Sequence, residues 1–312
     1  MKEPGINRVA IIGAGVMGYG IGLDFVRFGY EVAYYNTSKK TSERAMARAK
    51  ESLDLMVETG LVSQAEATAA FELLNPFTDV QETVQGADLV IEAAPETPSL
   101  KQELFAQLDK LLPPDVILAS NTSEIRLTEI ASKSVHQERI LRAHYFSPAE
   151  FIPLVEVHGG EKTNPEMVEK MVRILRGVRK KVVVYQMDVP GAIGSRIQMA
   201  QNREIMALID EGICDPQTMD DVIQYGFARR LPITGCFRRF DYLGLDFFYT
   251  ASKGWGAEPW KPIADRVERG EYGMKTGKGF YEWPGDSAAQ LNRKLNLELI
   301  RYLKEDMESG AI

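Results

Sequence analysis

Four short groups in this 312-residue chain have the residue types and spacing to do chemistry: Gly13-Ala14-Gly15-Val16-Met17-Gly18, Asn121-Thr122-Ser123, His144 and Glu156. The first is a G-x-G-x-x-G run set between an apolar strand pattern at Arg8 to Ile12 and a helical pattern at Tyr19 to Phe28. In that setting Gly13 permits a tight turn, Gly15 lets the backbone approach a pyrophosphate, and Gly18 lets helix pack on strand. Val16 and Met17 fall where the helix N-terminus faces the phosphates. A glycine-rich turn alone is a weak signal. The strand before it, the helix after it and a second strand at the right distance are what point to a dinucleotide.

The residue expected to read the adenosine ribose lies about 20 residues past the glycines and is usually acidic. This chain has Tyr34-Tyr35-Asn36-Thr37-Ser38-Lys39-Lys40 there, so Asn36 is neutral. An amide still bonds ribose hydroxyls, which favours NAD. With no carboxylate to repel a 2′-phosphate, and with Ser38 and Lys39 nearby as donors, NADP is not excluded.

Ser123 follows the apolar run Val116 to Ala119, in the region where an open α/β sheet presents ligand loops beyond its strand ends. His144 ends the run Arg139 to His144, and Glu156 sits inside Leu154-Val155-Glu156-Val157-His158, where an unpaired carboxylate is costly to bury. His144 is the simplest partner: a carboxylate on one ring nitrogen fixes the tautomer and leaves the other nitrogen as a base. The competing reading is a satisfied strand-end histidine with Glu156 turned to solvent on the alternate face. His136 and His158 read as surface residues. No spacing suits a metal site, which argues for direct hydride transfer.

Positioning such groups requires a scaffold of short strands and longer helices. Apolar runs at Arg8 to Ile12, Glu31 to Tyr35, Asp88 to Glu92, Val116 to Ala119, Arg139 to His144, Leu154 to His158 and Lys181 to Tyr185 alternate with amphipathic segments such as Thr41 to Thr59 and Ser99 to Leu112. That alternation predicts an α/β, doubly wound, mostly parallel Rossmann sheet over residues 1–187. Beyond Val189-Pro190-Gly191, segments Ile193 to Glu211 and Pro216 to Gln224 have helical periodicity with no strand pattern after them. A smaller all-helical domain is therefore expected over 188–312. A net charge of −7 disfavours nucleic acid and anionic lipid partners, and no apolar run approaches the ~20 residues of a membrane span. Two cysteines and no leader-like start place the expected protein in the cytoplasm.

Taken together, these groups resemble the L-3-hydroxyacyl-CoA dehydrogenase family, including its gulonate 3-dehydrogenase (lambda-crystallin) relatives that act on free hydroxy acids. The likeness runs through Gly13 to Gly18, Pro95-Glu96, Ser120 to Ser123, His144-Tyr145-Phe146-Ser147-Pro148, Leu154 to Val157, Asp188 to Gly191, Asp241 to Asp246 and Lys275 to Tyr281. It implies that Ser123 and His144 bind the reacting oxygen, that His144 is the acid/base and that Glu156 orients it. It also implies that Glu96, Lys101 and Asn121 lie beside the cofactor, and that the helical domain forms a homodimer. Three positions depart from the family pattern: Ser195 stands for the usual Asn, Ser147-Pro148 for Asn-Pro, and Asn36 for the ribose acid. The expected substrate is a 3-hydroxyacyl-CoA. A small free hydroxy acid held by Arg229, Arg230 or Arg238 is one alternative, and a non-enzymatic nucleotide-binding structural protein is another.

Overall fold

Each of the seven apolar runs forms a strand, displaced by a residue or so at some ends. The computed structural model describes residues 2–185, 187–254 and 256–312. The first unit, Met1–Gln201, runs β1 (Arg8–Ile12), α1 (Gly18–Val26), β2 (Glu31–Tyr35), α2 (Lys39–Glu58), α3 (Gln64–Glu72), β3 (Leu74–Phe77), α4 (Val80–Val84) and β4 (Leu89–Glu92). It continues with α5 (Pro98–Leu111), β5 (Ile117–Ser120), α6 (Leu127–Ile130), β6 (Ile140–Tyr145), β7 (Leu154–Gly159), α7 (Pro165–Gly177) and β8 (Lys181–Val184). One eight-stranded sheet results, in the order β3-β2-β1-β4-β5-β6-β7-β8. Every neighbouring pair is parallel except β6 and β7. The strand missing from the sequence reading is β3, which contains Pro76. Proline lacks an N–H for the ladder and is tolerated here because β3 is an edge strand with β2 as its one neighbour.

Strands β4, β5 and β6 are buried throughout, as expected of parallel strands covered on both faces. Ile11, Tyr34, Ile91, Ala143 and Val157 pack on one face with side chains of α1, α2 and α7. Ile12, Val90, Leu118 and Ile140 pack on the other with Leu104, Phe105 and Ile130 of α5 and α6. Helix α5 stops where Pro113-Pro114 cannot continue it. Helix α1 runs close against its neighbours: a Cβ on Gly18 would lie 2.1 Å from the Gly13 carbonyl oxygen, and one on Gly22 would lie 2.2 Å from the Tyr34 hydroxyl. That hydroxyl donates to the Tyr19 carbonyl at 2.6 Å.

Helix α8 (Ile193–Asp210) crosses the division between the two compact units, Met1–Gln201 and Asn202–Ile312. The second unit is helical, with α9 (Pro216–Asp221), a π-helical turn at Val222–Gly226, α10 (Leu231–Thr234), α11 (Phe237–Leu243), α12 (Leu245–Gly254), α13 (Lys261–Glu268) and α14 (Ser287–Ser309). Its internal anchor is the fully buried Asp241. The carboxylate accepts from the amides of Phe280 and Tyr281 at 2.8 and 2.9 Å and from the Trp283 indole at 2.9 Å. Gly279 leaves room for the carboxylate and Gly273 for the Asp241 backbone; a Cβ on either would lie within 2.4 Å of Asp241.

Candidate active site

The glycine loop between β1 and α1 separates two reasons for being glycine. Gly13 has φ +100 and lies against the Ala93 carbonyl, and Gly18 lies against Gly13, so both are required by the chain's own packing. A Cβ on Gly15 would meet nothing within 4 Å. Its backbone therefore faces open space, where a phosphate group could approach closely. Met17, at the N-cap of α1, makes no side-chain cap, whereas α2 and α3 begin with full capping boxes from Ser38 and Ser63. Amides at the start of α1 are thus left for an anion. Gly13, Gly15, Val16, Met17 and Asn36 line a cavity of about 610 Å³ that extends past Ala94 to Leu104, wide enough for an adenosine. Asn36 is buried, and its Nδ2 finds no hydrogen-bond partner among the described residues. The Ser38 hydroxyl, expected as a donor near the ribose, is engaged by Thr41 in the cap of α2.

His144 and Glu156 face each other directly across the antiparallel β6–β7 pair, a register that puts both side chains on one face of the sheet. His144 Nδ1 lies 2.8 Å from Glu156 Oε2, and both residues are buried. The second carboxylate oxygen accepts from the Gly194 amide in the first turn of α8 at 2.9 Å. A side chain on residue 194 would strike the Phe146 ring, which packs on His144 with centroids 4.9 Å apart. Ser195 follows Gly194 and is half-buried.

Ser123 enters the same neighbourhood through the backbone: its carbonyl accepts from Ala192 at 2.8 Å, two residues before Gly194. Asn121 Oδ1 accepts from the amide of Tyr145 at 2.8 Å and so ties the tip of β5 to that of β6 beside His144. Glu96 gathers the Ser123 and Glu124 amides at 3.0 Å each, the Thr122 hydroxyl, and Lys101 at 3.2 Å. Burial pushes the Glu96 carboxyl up, but the Thr122 hydroxyl and the Lys101 ammonium outweigh it and hold the group below its usual range. Lys101 is itself buried and reaches Glu92 at 2.5 Å. Glu92, in turn, takes the Ser120 hydroxyl at 2.6 Å. In the sequence Glu92 is only the end of a strand; its one signal is a carboxylate closing an apolar strand nine residues before a lysine.

His158 corrects an expectation. Far from the surface, it is fully buried opposite the equally buried Arg142, two rungs behind the His144–Glu156 pair and on the same face of the sheet. Burial, abetted by Arg142, pushes its pKa down. A strand-end histidine reads as exposed only if the strand edge is bare, and here Tyr185 stacks on the ring at 4.5 Å between centroids. Of the three arginines considered for a free carboxylate, Arg229 forks onto Asp306 and Arg238 lies over the Tyr281 ring at 4.7 Å. No cluster of three metal-ligating side chains occurs among the described residues, and none of their helices is long and apolar enough to cross a membrane.

Residues 8–189 match the NAD binding domain of 3-hydroxyacyl-CoA dehydrogenase, and residues 191–283 match the C-terminal domain of the same family. The chain is 29% identical to 5-formyl-3-hydroxy-2-methylpyridine 4-carboxylate 5-dehydrogenase of Mesorhizobium japonicum, over 97% of this chain and 100% of that one. It is 30% identical to the mitochondrial hydroxyacyl-coenzyme A dehydrogenase of Mus musculus, over 89% of this chain and 91% of that one. A solved 3-hydroxyacyl-CoA dehydrogenase from Archaeoglobus fulgidus superposes with a TM-score of 0.79 at 27% identity, covering 96% of this chain and 99% of the other.

Proposed function

The chain belongs to the 3-hydroxyacyl-CoA dehydrogenase family, and we propose that it moves a hydride between NAD and the 3-hydroxyl carbon of a 3-hydroxyacyl-CoA-type substrate, with His144 as general acid/base. It is an NAD-dependent dehydrogenase acting on a CH–OH group. Bound NAD supplies the hydride acceptor or donor at its nicotinamide. The carrying observation is the buried contact between His144 Nδ1 and Glu156. A carboxylate only accepts, so Nδ1 holds the hydrogen and Nε2 keeps a lone pair for the substrate hydroxyl. In oxidation Nε2 takes that proton and Glu156 stabilises the imidazolium. In reduction the proton returns. Ser123 donates to the same oxygen, and Ser195 occupies the position from which a side chain reaches the substrate.

On this reading Gly13, Gly15, Val16, Met17 and Gly18 hold the pyrophosphate, Asn36 bonds the ribose, and Glu96 and Lys101 lie beside the nicotinamide end. Asn121, whose Oδ1 is taken by Tyr145, offers its amide nitrogen to the cofactor. A second copy of the chain completes the molecule. Helix α8 buries none of its residues, and Leu297, Ile300, Leu303 and Met307 of α14 are about half exposed along one stripe, as a face covered by a partner helix requires. Cys214 and Cys236 are both free, which suits the reducing cytoplasm.

A free hydroxy acid is the second reading. It is favoured by Ser195, shorter than the amide the family pattern has there, and by the likeness to a dehydrogenase named for a pyridine carboxylate. Of the arginines considered for its carboxylate, Arg229 is already forked onto Asp306. NADH oxidation with acetoacetyl-CoA and with free 3-oxo acids separates the two. His144→Gln should lower the rate on the true substrate by roughly 10²- to 10⁴-fold with NADH affinity nearly intact; a variant within a few-fold of the parent refutes the role given to His144.

A further inference from the structure

The connection from β6 to β7, residues 146–153, contains no residue assigned above to substrate or cofactor, yet a buried charged network is built on it. Lys180 Nζ donates to the carbonyls of Ala149 and Ile152 at 2.6 and 3.0 Å and lies 2.7 Å from Asp24 Oδ2 in α1. Between those carbonyls Glu150 turns inward. Its Oε1 accepts from the Tyr19 hydroxyl in α1 at 2.9 Å and from Ser52 in α2 at 2.8 Å. The carboxylate presses so near the helix that a Cβ on Gly20 would lie 2.2 Å from Oε2. Asp24, Glu150 and Lys180 are each at least nine-tenths buried.

Such burial is expensive. Desolvating an ion costs several kcal/mol before pairing returns any of it, and apolar groups of similar size often stabilise a fold as well or better. Most of this face of the sheet is apolar. What the charged groups add is direction: hydrogen bonds fix angles that packing alone leaves soft. Their targets are informative. Tyr19 directly follows Gly18 at the start of the dinucleotide helix, and the connection they pin joins the strands that bear His144 and Glu156.

We propose that Glu150 and Lys180 are positioning residues, fastening the β6–β7 connection to the first turns of α1 so that the His144–Glu156 pair and the dinucleotide loop keep one mutual geometry. The proposal rests on the reading of His144 and Glu156 as the reacting pair. Hydride transfer is steeply sensitive to such geometry, since a displacement of about 1 Å can cost about 10²-fold in rate.

The test uses full-length Glu150→Leu, which removes both acceptor bonds at similar volume; Glu150→Gln, which keeps an acceptor oxygen for Tyr19 and Ser52; and Tyr19→Phe, which removes one bond from the helix side. Thermal unfolding, NADH affinity by fluorescence titration and NADH-dependent reduction of acetoacetyl-CoA are measured for each, with His144→Gln alongside. Glu150→Leu should fold, lose about tenfold in kcat and bind NADH several-fold more weakly, while Glu150→Gln stays within about twofold of the parent. Tyr19→Phe should lower kcat in the parent and change nothing further in Glu150→Leu. A folded Glu150→Leu with parental kcat and parental NADH affinity overturns the proposal. Should that variant fail to fold, an unchanged kcat and NADH affinity in Tyr19→Phe overturns it instead. If acetoacetyl-CoA is not turned over, NADH affinity alone decides. Loss of rate in His144→Gln with parental rate and NADH affinity in Glu150→Leu sinks this proposal and spares the reaction; an active His144→Gln instead refutes the role given to His144, on which the proposal rests.

Discussion

The two units of this chain hold themselves together by different means. In the first, sheet strands and the helices on both faces bury two large apolar clusters. In the second, Met219, Leu245, Ile263 and Leu295 are the only buried apolar side chains among the described residues. Phe237, Phe240, Phe248 and Phe280 do meet edge to face there, but Phe237 keeps about half its surface in solvent. At about 25 cal/mol per Å² of apolar surface removed from water, the first unit has ample reason to fold alone, whereas the second has little apolar core of its own and leans on a buried carboxylate.

The sharpest way to break that contrast is at Asp241. Asp241→Ala leaves three buried donors without an acceptor and should destabilise the second unit by about 3–5 kcal/mol. Hydrogen exchange should rise across residues 202–312 and stay low in the strands of the first unit, with NADH binding retained. Uniform loss of protection would mean that the units fold as one.

Next in size is the stripe on α14. Leu297→Lys combined with Leu303→Lys puts two charges on a face proposed to be covered, where each buried leucine is worth about 1.5–3 kcal/mol. Light scattering should report a monomer, and an unchanged mass would show that a second copy does not cover this helix.

A smaller effect sharpens the first unit's side of the comparison. Asp24 pairs with Lys180, yet burial outweighs that pairing and its carboxyl is pushed up to about 7. Its folded pKa is above the unfolded one, so the native state binds the extra proton between about pH 4 and pH 7. The stability this group contributes is complete below that window and is lost as pH rises through it, by at most about 1.4 kcal/mol per unit. Asp24→Asn should flatten this stretch of a plot of unfolding free energy against pH; an unaltered slope would place the titration elsewhere.

The smallest effect is on cofactor choice. Asn36→Asp sets a carboxylate where a 2′-phosphate would sit and should lower NADP use relative to NAD by about tenfold. Equal ratios before and after would remove residue 36 from the ribose site.

Much of the first unit was legible because its signals are local. Arg8 to Ile12 and the glycines after it announce strand, turn and helix within twenty residues, and Glu156 in an apolar strand demanded a partner that the β6–β7 register supplies. What stayed hidden depends on distance along the chain. Asp24, Glu150 and Lys180 look like three unrelated surface charges until the sheet brings α1, the β6–β7 connection and the start of β8 together. His158 was misread for the same reason, because nothing beside it in sequence announces Tyr185 above its ring. In the second unit, Asp241 and the glycines of Lys275 to Tyr281 resembled a family pattern whose physical reason appears only once the loop folds back on the carboxylate.

The contact between Gly22 and Tyr34 constrains the order in which this protein could have changed through descent. Alanine at position 22 would drive its methyl into the Tyr34 hydroxyl, 2.2 Å away, so that substitution is blocked while the tyrosine stands. Loss of the hydroxyl alone forgoes one hydrogen bond to the Tyr19 carbonyl, a cost of about 1 kcal/mol. With the large ring replaced by a smaller apolar group, alanine at 22 becomes a good helix former at no steric cost. The accessible route therefore runs through position 34 first, and lineages that keep tyrosine there should keep glycine at 22.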